Sequence, residues 1–338
     1  MLNSYKSNFT IIKLFLAFIV FITHFIFLNK HIIESSNEYL HILKFISSEY
    51  NFFNAEFAVK IFFSISGYLI GLSLSNNTKI LTFYKKRIMR IYPSYITVIL
   101  IFFLIALLFN TNKLNTLISD SEIYIYLISN LLTVNFFQPS IPGFLDQNVI
   151  NAINGSLWTI KNELVCYFLA PFIFSFIKKN KKWFSFLYIL SIIWIVIPTE
   201  IINEIHPRLS KQFPMFLPFF ISGLFISTLK ISRKLYLPTM LILICTYLIN
   251  YLAFTLIFPV CITILVICLS KTVYLDIKIK DYSYGLYLWH FPVIQTIYMM
   301  NNFGITNLYI LFFITLSIIM VFVYLNYIFI EDKYRIKQ

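Results

Sequence analysis

Lys13 and His24 stand eleven residues apart in the first apolar stretch of the chain. Eleven residues of α-helix turn through about 1100°, close to three turns, so both side chains fall on one stripe, about 16 Å apart along the axis. A cation at one end of an apolar helix and an imidazole at the other suit a ligand with a charged head and a reactive tail. The separation is what an extended pantetheine arm must bridge if its phosphates stay near the cytosol and its thioester reaches the histidine. The pair therefore points to an enzyme that moves acyl groups through a membrane.

Ionisable groups inside a span are costly and are functional candidates by default. Lys13, His24, Lys60, Glu163 and His290 are in this position. Glu163 lies about 9 Å deep in a span entered from the outer side, and His24 about 6 Å from the outer end of its own. Similar depth predicts a carboxylate–imidazole pair, which would fix the imidazole tautomer and raise its basicity, as a general base requires. The plainer reading has each group satisfying some other polar group of a bundle core. Lys60, near the outer end of its span, is expected to snorkel.

Arg87 and Arg90 are three apart on one helical face of a basic run from Tyr84 to Arg90 that leads into Ile91-Tyr92-Pro93. Guanidinium forks suit bidentate phosphate binding better than lysines do. Lys85 and Lys86 need no more explanation than attraction to anionic lipid. Ser66 and Gly67, in Phe63-Ser64-Ile65-Ser66-Gly67-Tyr68, put small residues on one face of the second span, with Gly71 four further on. That face is read first as close helix packing and second as a slot narrow enough for a pantetheine chain. Gly155-Ser156-Leu157-Trp158-Thr159 reads as an outer loop entering a helix, with Trp158 at the interface. Ser156, Trp158 and His290 are the candidate acceptor contacts. His290 precedes Pro292, which frees a backbone carbonyl, and taken alone it reads as a core histidine. His31, His41 and His206 fall in outer loops and carry no signal.

These side chains must be carried by membrane helices. Hydrophobic residues make up 59% of the 338 and charged residues 12%, with a mean hydropathy of +0.80, which excludes a soluble domain. Apolar runs lie at 11–28, 57–75, 91–109, 157–177, 184–197, 213–229, 235–249, 252–269, 283–299 and 308–330. An eleventh run, 123–137, is decided by charge. If it does not span, Lys79 to Arg90, Lys178 to Lys182, Lys230 to Lys234, Lys271 to Lys280 and both termini share the cytoplasmic side. Of the 14 acids, only Asp276, Asp281, Glu331 and Asp332 would join them there. The positive-inside rule thus predicts an all-α bundle of about ten transmembrane helices, both termini cytoplasmic, with 123–137 a short re-entrant or interfacial helix. The net charge of +13 sets orientation and implies no nucleic-acid partner. The first span carries the polar groups above and no small-residue cleavage site follows it, so it is not read as a signal peptide. The longest gap, 29–56, leaves no room for an appended soluble domain, and the chain is expected to be one membrane domain over 1–338. Cys166, Cys245, Cys261 and Cys268 all lie in apolar stretches, so a disulfide framework is not expected. Neither is a metal site.

At these residues the chain resembles acyltransferase family 3, integral membrane proteins that O-acetylate bacterial surface sugars. Lys13 through Ala17 to His24 is similar to that family's first-span motif of a basic residue, ten residues and a histidine. Phe63 to Ile70, Arg87 to Pro93, Asn154 to Thr159 with Glu163 and Tyr167, and Tyr282 to His290 resemble four further motifs, in the family's order. The resemblance implies ten core helices, cytoplasmic acyl-CoA (acetyl-CoA) as donor, and an acceptor on the far side of the inner membrane. By it His24 is catalytic, and Lys13, Arg87 and Arg90 contact the donor. Lys13 stands where arginine is commoner, and a point charge grips phosphate less firmly than a fork does.

The sequence is therefore read as a membrane O-acyltransferase acting on a surface polysaccharide or its lipid-linked precursor. Glu163 orients His24, Ser66 and Gly67 line the donor path, and proteins of polysaccharide assembly are candidate partners. A transporter or flippase of a lipid-linked sugar, or the same chemistry on another acceptor, are the alternatives. A transporter would be expected to show pseudo-symmetric halves, and no internal repeat is evident. The charge pattern makes one expectation direct. On a cysteine-free background, single cysteines at Asn180 and Lys337 should be shielded from impermeant thiol reagents in intact cells, and one at Ser36 should react. Labelling at Asn180 without permeabilisation would mean that 123–137 spans.

Overall fold

A computed structural model describes residues 2–34, 54–76, 79–112, 119–197, 213–272, 280–300 and 307–334. His41, His206 and Asp276 lie outside them. Among the described residues regular structure is entirely helical, the form in which a chain satisfies its own backbone within hydrocarbon. All ten apolar runs expected to cross form helices, and six are long and apolar enough to do so. These are α1 (Leu2–Leu28), α3 (Ala55–Ser75), α4 (Ile80–Leu108), α6 (Trp158–Lys179), α10 (Tyr251–Thr272) and α12 (Leu308–Asn326, extended by the turns after it). A five-residue α2 (Lys30–Glu34) follows α1. The other four are α7 (Lys182–Val196), α8 (Leu217–Ile226), α9 (Tyr236–Ile249) and α11 (Ser283–Met300). Three of these are short. The fourth, α11, has 18 residues but carries Tyr, Trp, His, Gln and Thr, and it is buried continuously from Gly285 to Gln295. Its polar residues meet protein. Helix α5 (Ser121–Leu131) has 11 residues and covers about 16 Å, half a hydrocarbon core. That length fits an interfacial helix and not a crossing.

The chain resolves into two compact, discontinuous units. The first comprises Met1–Lys13, Val59–Lys85 and Asn162–Lys280. Here the small-residue face of α3 meets α8. A side chain at Gly67 would strike the carbonyl of Phe220, and one at Gly71 would lie 2.7 Å from Cβ of Ser227. Gly223 answers from α8, with a Cβ there 2.6 Å from the Tyr68 nitrogen. The face expected either to pack or to line a slot is filled by backbone. Phe184 stacks on Phe225 at 3.9 Å, and Phe63 on Phe216 at 4.6 Å. Helices α9 and α10 meet at Asn250, whose side chain caps α10 by accepting from Ala253 N–H at 2.9 Å. Lys60 sits over the ring of Phe219, 6.0 Å from its centroid.

The second unit comprises Leu14–Ala58, Lys86–Lys161 and Asp281–Gln338. Phe21 and Phe25 of α1 pack on Phe312 of α12, with centroids 5.4 and 5.3 Å apart. Trp289 lies between Phe102 of α4 and Phe322 of α12, at 6.0 and 4.7 Å. The Tyr95 hydroxyl donates to Asn130 O at 2.7 Å and pins α5 to α4. After α12 the chain makes a π turn, Tyr327–Glu331, in which Asn326 donates to Glu331 at 2.7 Å and Tyr327 to Asp332 at 3.2 Å.

Replacing glycine by alanine in an open helix stabilises by about 1 kcal/mol. At Gly223 the sign should reverse, because the new methyl meets backbone atoms that no rotamer can move. Gly223→Val is expected to cost about 1–3 kcal/mol through overpacking, read as a lower unfolding temperature of the detergent-solubilised protein. Gly223→Ala should also lower it. An unchanged temperature for both would mean that α3 and α8 separate freely.

Candidate active site

The site in the second unit is built outward from Pro292. Proline has no N–H, so the carbonyl four residues earlier in α11, that of Leu288, loses its helical donor. Asn154 supplies the replacement, with its Nδ2 3.0 Å from Leu288 O. The Asn154 Oδ1 accepts from the Ser156 N–H at 3.2 Å and the Ser156 hydroxyl at 2.7 Å. One turn further along, Gln295 donates to Ile150 O and Ala152 O at 2.6 and 2.8 Å, while Asn148 donates to its Oε1 at 2.8 Å. Tyr287 and Thr159 share a hydrogen bond at 2.6 Å. The loop ahead of α6 is thereby fastened along α11 by groups that are all buried or half-buried. Gly155 makes this seating sterically feasible, since a Cβ there would lie 2.5 Å from Cζ of Phe291.

Phe291 in turn meets His24 edge-on, with centroids 5.2 Å apart at 77°. His24 is half-buried, and its Nδ1 lies 2.8 Å from Nε2 of His290. The Nδ1 of His290 is 3.0 Å from the Leu286 carbonyl, and His290 itself is 0% exposed. Two imidazoles, an aromatic wall and a glycine-seated loop thus converge. Imidazole is a side chain that can take up and release a proton near neutral pH, and here two of them are in contact.

The sequence-expected residues fall into three groups. His24 finds an imidazole where a carboxylate was expected. Glu163, in the first unit, accepts from the Tyr167 hydroxyl, which accepts in turn from Ser66 Oγ at 3.3 Å. Each has a different partner from the one that depth suggested, because depth fixes position along a helix and not the direction a side chain points. Ser156 and His290 were expected against the acceptor. Both are buried, with their polar atoms engaged by other groups of the protein. Trp158 is half-buried at the start of α6. At the other end, Lys13 and Arg87 are both 8% exposed. Arg90 keeps 39% of its side chain exposed, with Nη2 3.6 Å from Asp281 Oδ2. Around Arg90, Ser94, Asp281, Tyr284 and Glu331 line a cleft. Asp281 and Glu331 were not singled out from sequence as site residues, yet a signal existed: they are two of the few acids on the basic side. Asn154, Tyr167 and Tyr287 were also passed over, although each stands in a quoted motif.

The model of the acyltransferase domain of family 3 matches residues 7–326, which include every residue of the site described above except Glu331. An O-acetyl transferase of Shigella phage Sf6 is 26% identical over 259 residues, covering 71% of this chain and 74% of that protein. An uncharacterized protein of Haemophilus influenzae is 30% identical over 151 residues, 42% of this chain and 60% of its own length. No solved structure gives a significant match.

If the loop depends on Asn154, Asn154→Leu should leave the Leu288 carbonyl and the Ser156 N–H unpaired, a loss of about 1–3 kcal/mol. Limited proteolysis within 138–157 should accelerate, and Asn151→Ala, at an exposed position, should change nothing. Equal cleavage of both variants would show that the loop is held by other means.

Proposed function

The chain belongs to acyltransferase family 3 and is an acyltransferase, and on that premise we propose that it transfers acetyl from cytoplasmic acetyl-CoA to a hydroxyl of a surface polysaccharide or its lipid-linked precursor. Acetyl transfer to oxygen is supported by the phage relative, itself named an O-acetyl transferase. The family match displaces the transporter alternative. In this reading α7, α8, α9 and α11 complete ten crossings of the inner membrane, with both termini cytoplasmic.

The observation that carries the proposal is the 2.8 Å contact between His24 and His290, in a helix whose Lys13 lies about three turns away. As the family's motifs imply, Lys13, Arg87 and Arg90 are the contacts of the donor's phosphates, and its thioester is the group that meets His24. His24 Nε2 takes the proton of the acceptor hydroxyl as its oxygen attacks the thioester carbonyl carbon. The new C–O bond forms, the C–S bond breaks, and the proton returns from His24 to the departing sulfur to give CoA thiol. Trp158 contacts the acceptor. Glu163, held by Tyr167, is a secondary participant. A variant in which Nε2 itself carries the acetyl group uses the same nitrogen.

His24→Ala should insert normally and bind acetyl-CoA, while acetyl transfer falls by the 10²–10⁴-fold expected for loss of a general base. His24→Gln, which cannot take up the proton, should be nearly as inactive, and Glu163→Gln milder. Arg87→Gln and Arg90→Gln should each weaken acetyl-CoA binding several-fold while sparing the base. O-acetyl content of the surface polysaccharide, scored against membrane levels of each variant, is the measurement. Near-normal acetylation by a well-expressed His24→Gln protein would remove the base role.

A further inference from the structure

We propose that His290 is a positioning residue that holds His24 in the single tautomer able to act as a base. The assignment rests on the reading of His24 as that base. It begins with an atom that has no choice: the Leu286 carbonyl can only accept, so the Nδ1 of His290, 3.0 Å away, carries a proton. A neutral imidazole has one ring proton, and the Nε2 of His290 is therefore bare. The 2.8 Å contact from that nitrogen to His24 Nδ1 needs one proton between the two atoms, and only His24 can supply it. The single ring proton of His24 is then on Nδ1, and its Nε2 lone pair is left available.

The ring geometry fits a hydrogen bond and not a face-to-face stack. The planes are 8° apart, and the centroid separation of 5.1 Å exceeds the nitrogen–nitrogen distance by about two ring radii, which places the rings edge to edge in a nearly common plane. Lone pairs and N–H bonds of imidazole lie in that plane, so the contact is aligned for proton sharing. The opposite assignment, with His290 donating, would require both of its nitrogens protonated and a cation at a position that is 0% exposed. Its ring neighbours besides His24 are Tyr287 and Phe291, at 5.8 and 6.4 Å. An imidazolium in that setting pays heavily for lost hydration. The neutral relay also explains why the orienting group is an imidazole. A carboxylate would do the same work, as in hydrolytic triads, but would bring an unpaired anion into a membrane helix. When His24 takes up the acceptor's proton, its Nδ1–H to His290 becomes charge-assisted and strengthens, so the support grows as the reaction proceeds.

The test combines a spectroscopic and a kinetic readout on the full chain in lipid nanodiscs. The sequence has five histidines, so His31→Gln, His41→Gln and His206→Gln leave only His24 and His290. Selective 15N-histidine labelling then reports which nitrogen of each bears the proton. The expected spectrum at neutral pH shows His24 protonated on Nδ1 and bare on Nε2. In His290→Leu, His24 should relax to a mixture of tautomers, and kcat for acetyl transfer should fall at least tenfold with KM for acetyl-CoA within twofold. His290→Gln, whose Oε1 can accept at the place of the lost Nε2, should recover most of kcat. His290→Asn reaches Leu286 but is too short for His24, and it should not recover activity. A His24 ring protonated on Nε2 in the parent, a question that stays open to measurement even if the variants fail to insert, overturns the proposal. So does a single unchanged tautomer with undiminished kcat in His290→Leu. If the tautomer scrambles as expected while His24→Gln protein still transfers acetyl normally, the positioning of His24 stands and the base reading is what fails.

Discussion

A buried helix that contains a proline leaves one carbonyl without its helical hydrogen-bond donor, and a buried carbonyl must find another. In α11 the loss falls on Leu288 and is met by Asn154. Much else follows from that one bond. It brings the loop before α6 against α11, where Gln295, Tyr287 and Thr159 add further ties. It seats Gly155 on the ring of Phe291, and Phe291 stands edge-on to His24. The local fault in one helix thus organises the wall beside the His24 ring. A continuous helix at this point would have offered Asn154 no freed carbonyl to bind.

The two ends of the proposed donor path are built on opposite principles. Around His24 the neighbours are the rings of His290 and Phe291. Around Arg90 they are charged and partly open, with Asp281 at 3.6 Å and Glu331 in the same cleft. Asp281 is itself held by the Ser283 hydroxyl at 2.6 Å, at the start of α11 where a carboxylate also meets the positive end of the helix. Arg90 therefore sits in a field already balanced by carboxylates, and any anion binding proposed there would depend on ionic strength.

Element positions were legible in the sequence because hydropathy dictates them: every one of the ten apolar runs is helical, and 123–137 contains a helix too short to cross. Partners were less legible. His24 and Glu163 could be matched in depth from the rise per residue, but pairing depends on the rotation of each helix, and a single apolar sequence fixes that weakly. Helices such as α7 and α10 are apolar around most of their circumference, so no stripe marks the inward side. His290, taken alone, read as a core histidine, and it is wholly buried, but its contact with His24 had no signal in the sequence. The packing of Gly67 was readable from its small neighbours. That its counterpart would be Gly223, over 150 positions later, was not.

The π turn at the end of α12 holds a consequence for how this segment tolerates length change. Asn326 to Glu331 and Tyr327 to Asp332 are pairs five residues apart. An ordinary helix rotates about 100° per residue, so at that spacing it would direct the two members well away from each other. The turn is equivalent to one residue inserted into a regular helix, and such wide turns gather at functional sites. Removing any one residue from 327–331 would let the backbone revert to regular winding with no loss of helical hydrogen bonds. Both pairs would vanish in that single step, and Glu331 would swing out of the cleft beside Arg90. Point substitutions can be absorbed here one contact at a time, whereas a one-residue deletion changes the charge lining the cleft beside Arg90 all at once.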